Sequence, residues 1–181
     1  MSVSPVIHRL ALVAAILSLT GLAACATPSN PAMMTFAATP DLTAGEGDIG
    51  YRSVTTVTVT GGKETNPLWT AQVSSEAFRT ALQQSLLSAG YMGTTGKPMS
   101  VSADLVNLRQ PMAGFDLSVT SEVRYTVVQD GRTLFNETVA ATGTASMGEA
   151  FVAVERLRIA NEKSIQANIR EFLTRFRRDV R

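Results

Sequence analysis

One segment of the chain alternates apolar and polar side chains more strictly than any other. From Phe115 to Val127 every second residue is apolar, and only Ser121 interrupts the series. The residues between them are polar, namely Asp116, Ser118, Thr120, Glu122, Arg124 and Thr126. A period of two predicts a β-strand, here over 115–129, with one dry and one wet side. The chain must therefore build a sheet that is covered on one face only.

The remaining periods place this strand within a single domain. Two helices are predicted by apolar residues at helical spacing, and three further strands by β-branched and alternating residues. Ser74 or Ser75 can cap the first helix, Gly90 suits its C-terminal end, and Asp130–Gly131 is typical of a tight hairpin turn. The predicted strands are 51–60, 101–105, 115–129 and 133–145, and the predicted helices are 75–89 and 149–178.

The order of these elements predicts a fold class. A β-α-β-β-β-α domain over residues 50–178 would be an α+β two-layer sandwich, with a four-stranded, mostly antiparallel sheet and both helices on its dry face. The connection through the first helix should be right-handed if the strands that it joins are parallel. The pattern leaves the position of the first strand in the sheet open.

The residues available for chemistry are few. Cys25 is the only cysteine and His8 the only histidine in the chain, so no intramolecular disulfide can form. The predicted domain over residues 50–178 contains neither residue, so it cannot hold a Ser-His or a Cys-His nucleophile system. A zinc site built on histidine or cysteine is excluded in the same way. We therefore expect no enzyme, no metal and no cofactor other than covalent lipid. The remaining catalytic alternative is a hydrolase that uses only carboxylates, such as Asp104, Asp116 and Glu122.

The N-terminus carries the most specific motif. Basic residues His8 and Arg9 precede an apolar stretch over residues 10–22, which is shorter than the roughly 20 residues of a membrane-spanning helix. Leu22, Ala23, Ala24 and Cys25 follow directly, and this sequence resembles the bacterial lipobox. The resemblance implies a signal peptide over 1–24, with diacylglycerol and an N-acyl group on Cys25. The alternative is an ordinary secretory signal with an incidental cysteine.

The residues after Cys25 predict where the protein is held. Residue 26 is alanine and not aspartate, which by the sorting rule of enteric lipoproteins implies the periplasmic face of the outer membrane. Residues 25–49 are rich in proline and show neither a helical nor a strand period, so they predict a flexible tether. The domain would then stand away from the membrane.

Two groups of residues are candidates for contacts with other molecules. Leu68 and Trp69 could anchor a protein partner or could belong to the core; Trp69 is the only tryptophan in the chain. Arg175, Arg177, Arg178 and Arg181 could bind anionic lipid or lipopolysaccharide phosphates, or could simply complement the dipole of the last helix. Nucleic acid is not expected for an exported chain of balanced charge.

The whole pattern resembles small bacterial envelope lipoproteins. A lipobox, a short tether and a β-α-β-β-β-α domain are similar to the lipopolysaccharide-assembly lipoprotein and to uncharacterised or transporter-auxiliary lipoproteins. Residues 160–172, which include Ala160, Asn161, Glu162 and Phe172, are similar to the uncharacterised group. The resemblance implies a non-catalytic, lipid-anchored factor that binds a protein partner or supports an assembly or transport machine. The alternative is a module that binds lipid or lipopolysaccharide.

Overall fold

The computed structural model describes residues 26–66 and 70–180. A short helix, α1, and a 3-10 turn precede the elements that the sequence predicts. The elements in chain order are α1 (Pro31–Met34), the 3-10 turn (Pro40–Leu42), β1 (Val54–Thr60), α2 (Ser75–Ser88), β2 (Met99–Arg109), β3 (Leu117–Gln129), β4 (Arg132–Ala145) and α3 (Ala153–Asp179). The predicted α+β class and the β-α-β-β-β-α order are confirmed.

The four strands form a single mixed sheet in the order β1-β2-β3-β4. β1 lies at one edge and runs parallel to β2, with Val57 opposite Val101. The other two pairings are antiparallel, with Ala103 opposite Tyr125 and Val123 opposite Val139. The sequence left the place of β1 open, and the structure settles it: α2 carries the chain from β1 over the dry face to its parallel neighbour.

The turn and cap residues take the conformations that their positions in the sequence predict. Asp130 and Gly131 have φ of 50° and 74°, as a two-residue hairpin turn requires. The Ser74 side chain accepts a hydrogen bond from the Ala77 amide at the start of α2, and Gly90 ends this helix with φ of 75°. Local chemistry therefore defines both ends of α2 and the β3–β4 hairpin.

The long strand and the last helix both begin later than predicted. β3 starts at Leu117, and Phe115 lies in the preceding loop with an exposed fraction of 81%. Gly114, with φ of 155°, interrupts the extended backbone, so the apolar series does not continue as strand. The last helix begins at Ala153 because residues 146–152 form turns and bends.

The core lies between the dry face of the sheet and the two long helices. The rings of Tyr125 and Phe172 stack with centroids 4.1 Å apart, and Phe135 and Phe176 meet Phe172 at 5.6 and 5.8 Å. Such aromatic clusters bury large apolar areas. Ser121, the one polar residue in the apolar series, accepts a hydrogen bond from Ser164 of α3.

A buried polar network fixes the position of α3 on the sheet. The Asn168 amide donates to the backbone carbonyls of Ser121 and Val139, and its oxygen accepts from the Tyr125 hydroxyl at 3.0 Å. Burial raises the pKa of the Tyr125 hydroxyl well above its ordinary value, so this group donates its proton throughout the physiological range. Each of these buried polar groups therefore has a hydrogen-bond partner within the network, as buried polar groups in folded proteins generally do.

The structure corrects the prediction of a flexible tether over residues 25–49. Met34, Leu42 and Ala44 are buried in this segment, and Met34 joins the main core cluster. Met34 ends the four-residue helix α1, Leu42 ends the 3-10 turn and Ala44 follows on irregular backbone, so no regular period in the sequence marks these three residues. Residues 26–44 are therefore part of the folded body, and we call them the N-terminal strap.

Candidate functional site

The strap runs the full length of the groove between α2 and α3. The amides of Phe36 and Ala38 each donate at 2.9 Å to the hydroxyls of Ser85 and Ser88 on α2. On the other side, the Gln166 side chain of α3 donates to the carbonyl of Thr35 at 2.9 Å. The strap is thus hydrogen-bonded to both helices and covers the seam between them.

The strap begins beside the N-terminal half of α3. The Glu162 carboxylate, 2% exposed, accepts a hydrogen bond of 2.6 Å from the Asn30 amide and pairs with Arg158 at 2.5 Å. Burial raises the pKa of the Glu162 carboxyl above its ordinary value, although Asn30 and Arg158 oppose the shift. Arg158, with a smaller contribution from the Thr27 side chain beside it, holds the pKa of Glu155 below its ordinary value. The first residues of the strap are therefore fixed beside the start of α3.

This start lies at one end of the domain, which we call the loop end. The β1–α2 connection (61–74, of which 67–69 are not described), the β2–β3 loop (110–116) and the β4–α3 loop (146–152) all lie there. The side chains of Gln110 and Asn161 both donate to the Ala71 carbonyl, at 2.9 and 3.0 Å. The Ser29 amide donates to the Gln72 carbonyl at 3.4 Å. The strap enters the fold among these connections.

A buried arginine joins two of the loops at the loop end. Arg156, 6% exposed, donates from Nη1 to the carbonyls of Ala150 and Phe151 at 2.9 and 2.6 Å. Its Nη2 reaches the Gly114 carbonyl of the other loop at 3.5 Å. Its Nε atom is buried without a hydrogen-bond partner. The guanidinium therefore holds the β2–β3 and β4–α3 loops against each other.

Three of the four predicted cationic residues lie at the opposite end, which we call the hairpin end. Arg175 pairs with Glu171 at 2.8 Å and with Glu137 at 3.3 Å. Arg177 donates to the Thr43 carbonyl and pairs with Asp48 at 3.4 Å, and Arg178 pairs with its neighbour Asp179 at 2.7 Å. These three arginines are thus neutralised by acids, and about 33 Å of helix separates Glu155 from Arg177 at 1.5 Å per residue.

Two of the three carboxylates considered for catalysis are engaged on the wet face, and the third, Asp116, lies in the β2–β3 loop. Asp104 accepts a hydrogen bond from Thr60 at 2.9 Å, and Glu122 pairs with Arg109. Within residues 26–66 and 70–180, no group of three potential metal-ligating side chains comes together. In the same part of the chain, no helix is long and apolar enough to cross a membrane.

Seven residues of the predicted sites lie outside the described part of the chain. They are Leu22, Ala23, Ala24 and Cys25 of the lipobox, the candidate partner contacts Leu68 and Trp69, and Arg181. The neighbouring residues Ala71 and Val73, from the segment predicted to cover the sheet beside α2, are fully buried. The predictions for Cys25, Leu68 and Trp69 therefore remain predictions.

Sequence reasoning missed the residues that hold the strap. Asn30 and Glu162 form its first clamp across the fold, and their pairing leaves no local pattern in the sequence. One signal was available: the Asn30 side chain caps α1, with Pro31 at its first position, and Asn-Pro is a typical start of a helix. That signal predicts a turn of helix within residues 26–49 in place of a structureless segment.

The comparisons with known proteins establish similarity of fold only. No protein-family model and no curated protein matches the chain. The protein XCC0632 of Xanthomonas campestris, of the DUF330 family, superposes with a TM-score of 0.53 at 10% identity, over 72% of this chain and 86% of its own. The hypothetical protein CT253 of Chlamydia trachomatis gives 0.50 at 12% identity, over 71% and 98%.

A solved lipoprotein is more distantly similar. The minor lipoprotein of Acinetobacter baumannii superposes with a TM-score of 0.40 at 11% identity, over 69% of this chain and 94% of its own. A score this low supports no inference about this protein. The chain thus shares its α+β fold with bacterial proteins of diverse sequence.

Proposed function

We propose that this protein is a non-catalytic lipoprotein of the bacterial envelope, held at the membrane by lipid on Cys25. The lipobox-like sequence from Leu22 to Cys25 supports the lipid. The strap supports a particular arrangement of domain and membrane: Ala26 is buried, so the proposed lipid is attached one residue before the packed body. The folded domain would lie directly against the bilayer, with its loop end toward the lipid.

We further propose that the domain acts through a protein partner, as part of an assembly or transport machine of the outer membrane. The scarcity of catalytic side chains supports a binding role over chemistry, because the chain has one histidine and one cysteine, both within residues 1–25. Leu68 and Trp69 are the proposed contacts, since tryptophan is enriched at binding hot spots. A role in the core is the alternative for Trp69.

The anionic-lipid alternative has less support. Arg175, Arg177 and Arg178 pair with acids at the hairpin end, whereas the proposed lipid leaves the fold at the loop end. To bind headgroups of its own membrane through these arginines, the domain would have to bring both the loop end and the hairpin end to the same bilayer surface.

Replacement of Cys25 tests the anchor. The Cys25→Ser variant is expected to lose labelling by radioactive palmitate and to leave the membrane fraction or accumulate at precursor mass. A matched control is Ser29→Cys, which restores one thiol to the Cys25→Ser chain at a position without a lipobox. Palmitate labelling of Cys25→Ser equal to wild type would refute the lipidation.

Photo-crosslinking tests the partner surface in intact cells. A photoreactive residue at position 69 should give a discrete crosslinked product, whereas one at the exposed Leu87 of α2 should not. In a separate pull-down without the photoreactive residue, Trp69→Ala should weaken capture of the partner identified by crosslinking while leaving the melting temperature nearly unchanged. A cooperative loss of several degrees would place Trp69 in the core and end the binding proposal.

A further inference from the structure

The loop end carries large apolar side chains that the fold does not use. Phe115 and Phe151 are 81% and 83% exposed, Met112 is fully exposed, and Val152 is half exposed. Phe115 and Met112 lie in the β2–β3 loop and Phe151 and Val152 in the β4–α3 loop. Two phenylalanines left in water on adjacent loops cost hydrophobic free energy, so this grouping indicates a surface that is covered when the protein is in place.

A buried arginine bridges the two loops. Arg156 donates to the Phe151 carbonyl on one side and to the Gly114 carbonyl on the other, so the guanidinium lies between the backbones that carry the two phenylalanines. The first pair of the β3–β4 ladder, Leu117 with Ala145, lies directly behind these loops. The tips therefore form one apolar surface on a rigid base.

The start of the strap indicates what covers this surface. The Thr27 side chain lies beside the Glu155 carboxylate, which is in the first turn of α3, immediately after Phe151 and Val152. Cys25 is two residues before Thr27, and two residues span at most about 7 Å. Any lipid on Cys25 would therefore begin at the loop end, the end of the domain that carries the apolar tips.

The charges of the loops fit contact with the interior of a bilayer interface. The β4–α3 loop has one charged residue, Glu149, which pairs with Lys163 at 2.6 Å. The β2–β3 loop (110–116) also has one, Asp116, next to Phe115. A surface with apolar side chains and little net charge binds by burial of apolar area and does not require anionic headgroups.

We propose that Phe115 and Phe151, with Met112 and Val152 beside them, insert into the interfacial region of the bilayer next to the lipid on Cys25. This inference rests on the proposed lipidation and deepens it: the protein has a second, non-covalent membrane contact that sets its orientation. The loop end faces the lipids and the hairpin end points into the aqueous space. The domain is thereby held in one orientation for its partner.

Fluorescence of the lipidated full-length protein tests the orientation. Phe115→Cys, Phe151→Cys and the matched control Leu87→Cys each provide a single free thiol, because the thiol of Cys25 is consumed by the lipid. Leu87 is an apolar residue with 59% exposure near the C-terminal end of α2, away from the loop end. Each variant is labelled with an environment-sensitive fluorophore and reconstituted in phosphatidylcholine vesicles with or without brominated acyl chains.

The expected result is a blue shift and strong quenching by brominated lipid at positions 115 and 151. Aqueous iodide should quench the label at position 87 and leave those two largely unaffected. Equal behaviour of all three labels in vesicle-bound, palmitate-labelled protein would overturn the proposal. Labels at 115 and 151 that are shielded from iodide but not quenched by bromine would also overturn it, and would indicate contact with a second copy. If palmitate labelling itself is absent, the lipidation fails instead.

Discussion

The Glu162 carboxylate accepts a 2.6 Å hydrogen bond from the backbone amide of Asn30, which lies 132 positions earlier in the chain. This contact joins the first residues of the strap to the last helix. It explains why residues 26–44 are folded although their composition is that of a linker.

Removal of the Glu162 side chain should release the start of the strap. We expect Glu162→Ala to destabilise the protein by about 1–3 kcal/mol, because a buried charge-assisted hydrogen bond is lost and the Asn30 amide is left without a partner. Urea unfolding measures the change, and hydrogen exchange should show faster exchange over residues 26–36. The matched control is Glu171→Ala on the same helix, whose pair with Arg175 is solvent-accessible and should cost less than about 1 kcal/mol. Equal losses in the two variants would contradict the clamp.

The pH dependence of stability should carry the signature of Glu162. Burial raises the pKa of this carboxyl in the folded state, so the folded protein binds the proton more tightly than the unfolded chain does. Its contribution to stability therefore increases as the pH falls through the folded pKa, and it is complete below the unfolded pKa, which is about 4.3. Glutamine is uncharged at every pH. The stability of wild type relative to Glu162→Gln should thus rise between about pH 7 and pH 4.

Urea unfolding of the two proteins across this range measures the difference. The use of Glu162→Gln as reference removes the opposing effect of Glu149 and Glu155, whose lowered pKa values cause stability to be lost as the pH falls. If the stability of wild type relative to Glu162→Gln decreased as the pH falls, Arg158 and Asn30, and not burial, would determine the direction of the pKa shift of the Glu162 carboxyl.

Truncation of Phe172 should be among the most damaging changes in the core. Its ring is 1% exposed and contacts the rings of Tyr125, Phe135 and Phe176. We expect Phe172→Ala to cost about 3–5 kcal/mol in the free energy of unfolding. Thermal and urea unfolding measure it against Phe151→Ala, which removes an exposed phenylalanine and should be nearly neutral. A loss below about 1 kcal/mol would mean that the core can collapse around the missing ring.

A methyl group at position 143 should separate the last helix from the sheet. An added Cβ on Gly143 would lie 2.2 Å from the Ser164 amide nitrogen and 2.6 Å from the Ala160 carbonyl oxygen. Backbone atoms cannot swing away as a side chain can, so we expect Gly143→Ala to cost at least about 1–3 kcal/mol. The backbone amides of Ser164 and Asn168 should also show faster hydrogen exchange.

The matched control for this variant is Gly148→Ala. Its added methyl group would meet only the Ser146 hydroxyl, at 3.7 Å, and it should leave stability within about 0.5 kcal/mol of wild type. A Gly143→Ala protein as stable as the control would refute the close approach of helix and sheet.

Much of the fold follows from local patterns in the sequence. The alternation from Leu117 to Val127 predicts β3 and its dry face because successive side chains of a strand point to opposite sides. Asp130–Gly131 predicts the hairpin because both positions adopt positive φ. Ser74 and Gly90 predict the ends of α2 because capping depends on residues within one turn of the helix.

The candidate site could be predicted only in part. The lipobox is a contiguous signal, so Cys25 is visible in the sequence. The alternation predicts Phe115 on the apolar side of β3, but the strand begins only at Leu117, and Phe115 is exposed in the loop. Nothing local marks Arg156 as the residue that joins two loops, because the Gly114 carbonyl of the second loop lies 42 positions earlier in the chain.

The sequence by itself determined the elements, their order, the dry face of the sheet and the scarcity of catalytic side chains, because each depends on residues close together in the chain. Only the tertiary structure decided the parallel edge position of β1 and the packing of the strap. Met34 is buried because it packs into the core cluster at the groove between α2 and α3. Asn30 is held because the fold places Glu162 within hydrogen-bond distance of its amide. Such contacts join residues far apart in sequence, and their free energy exists only once both helices are in place.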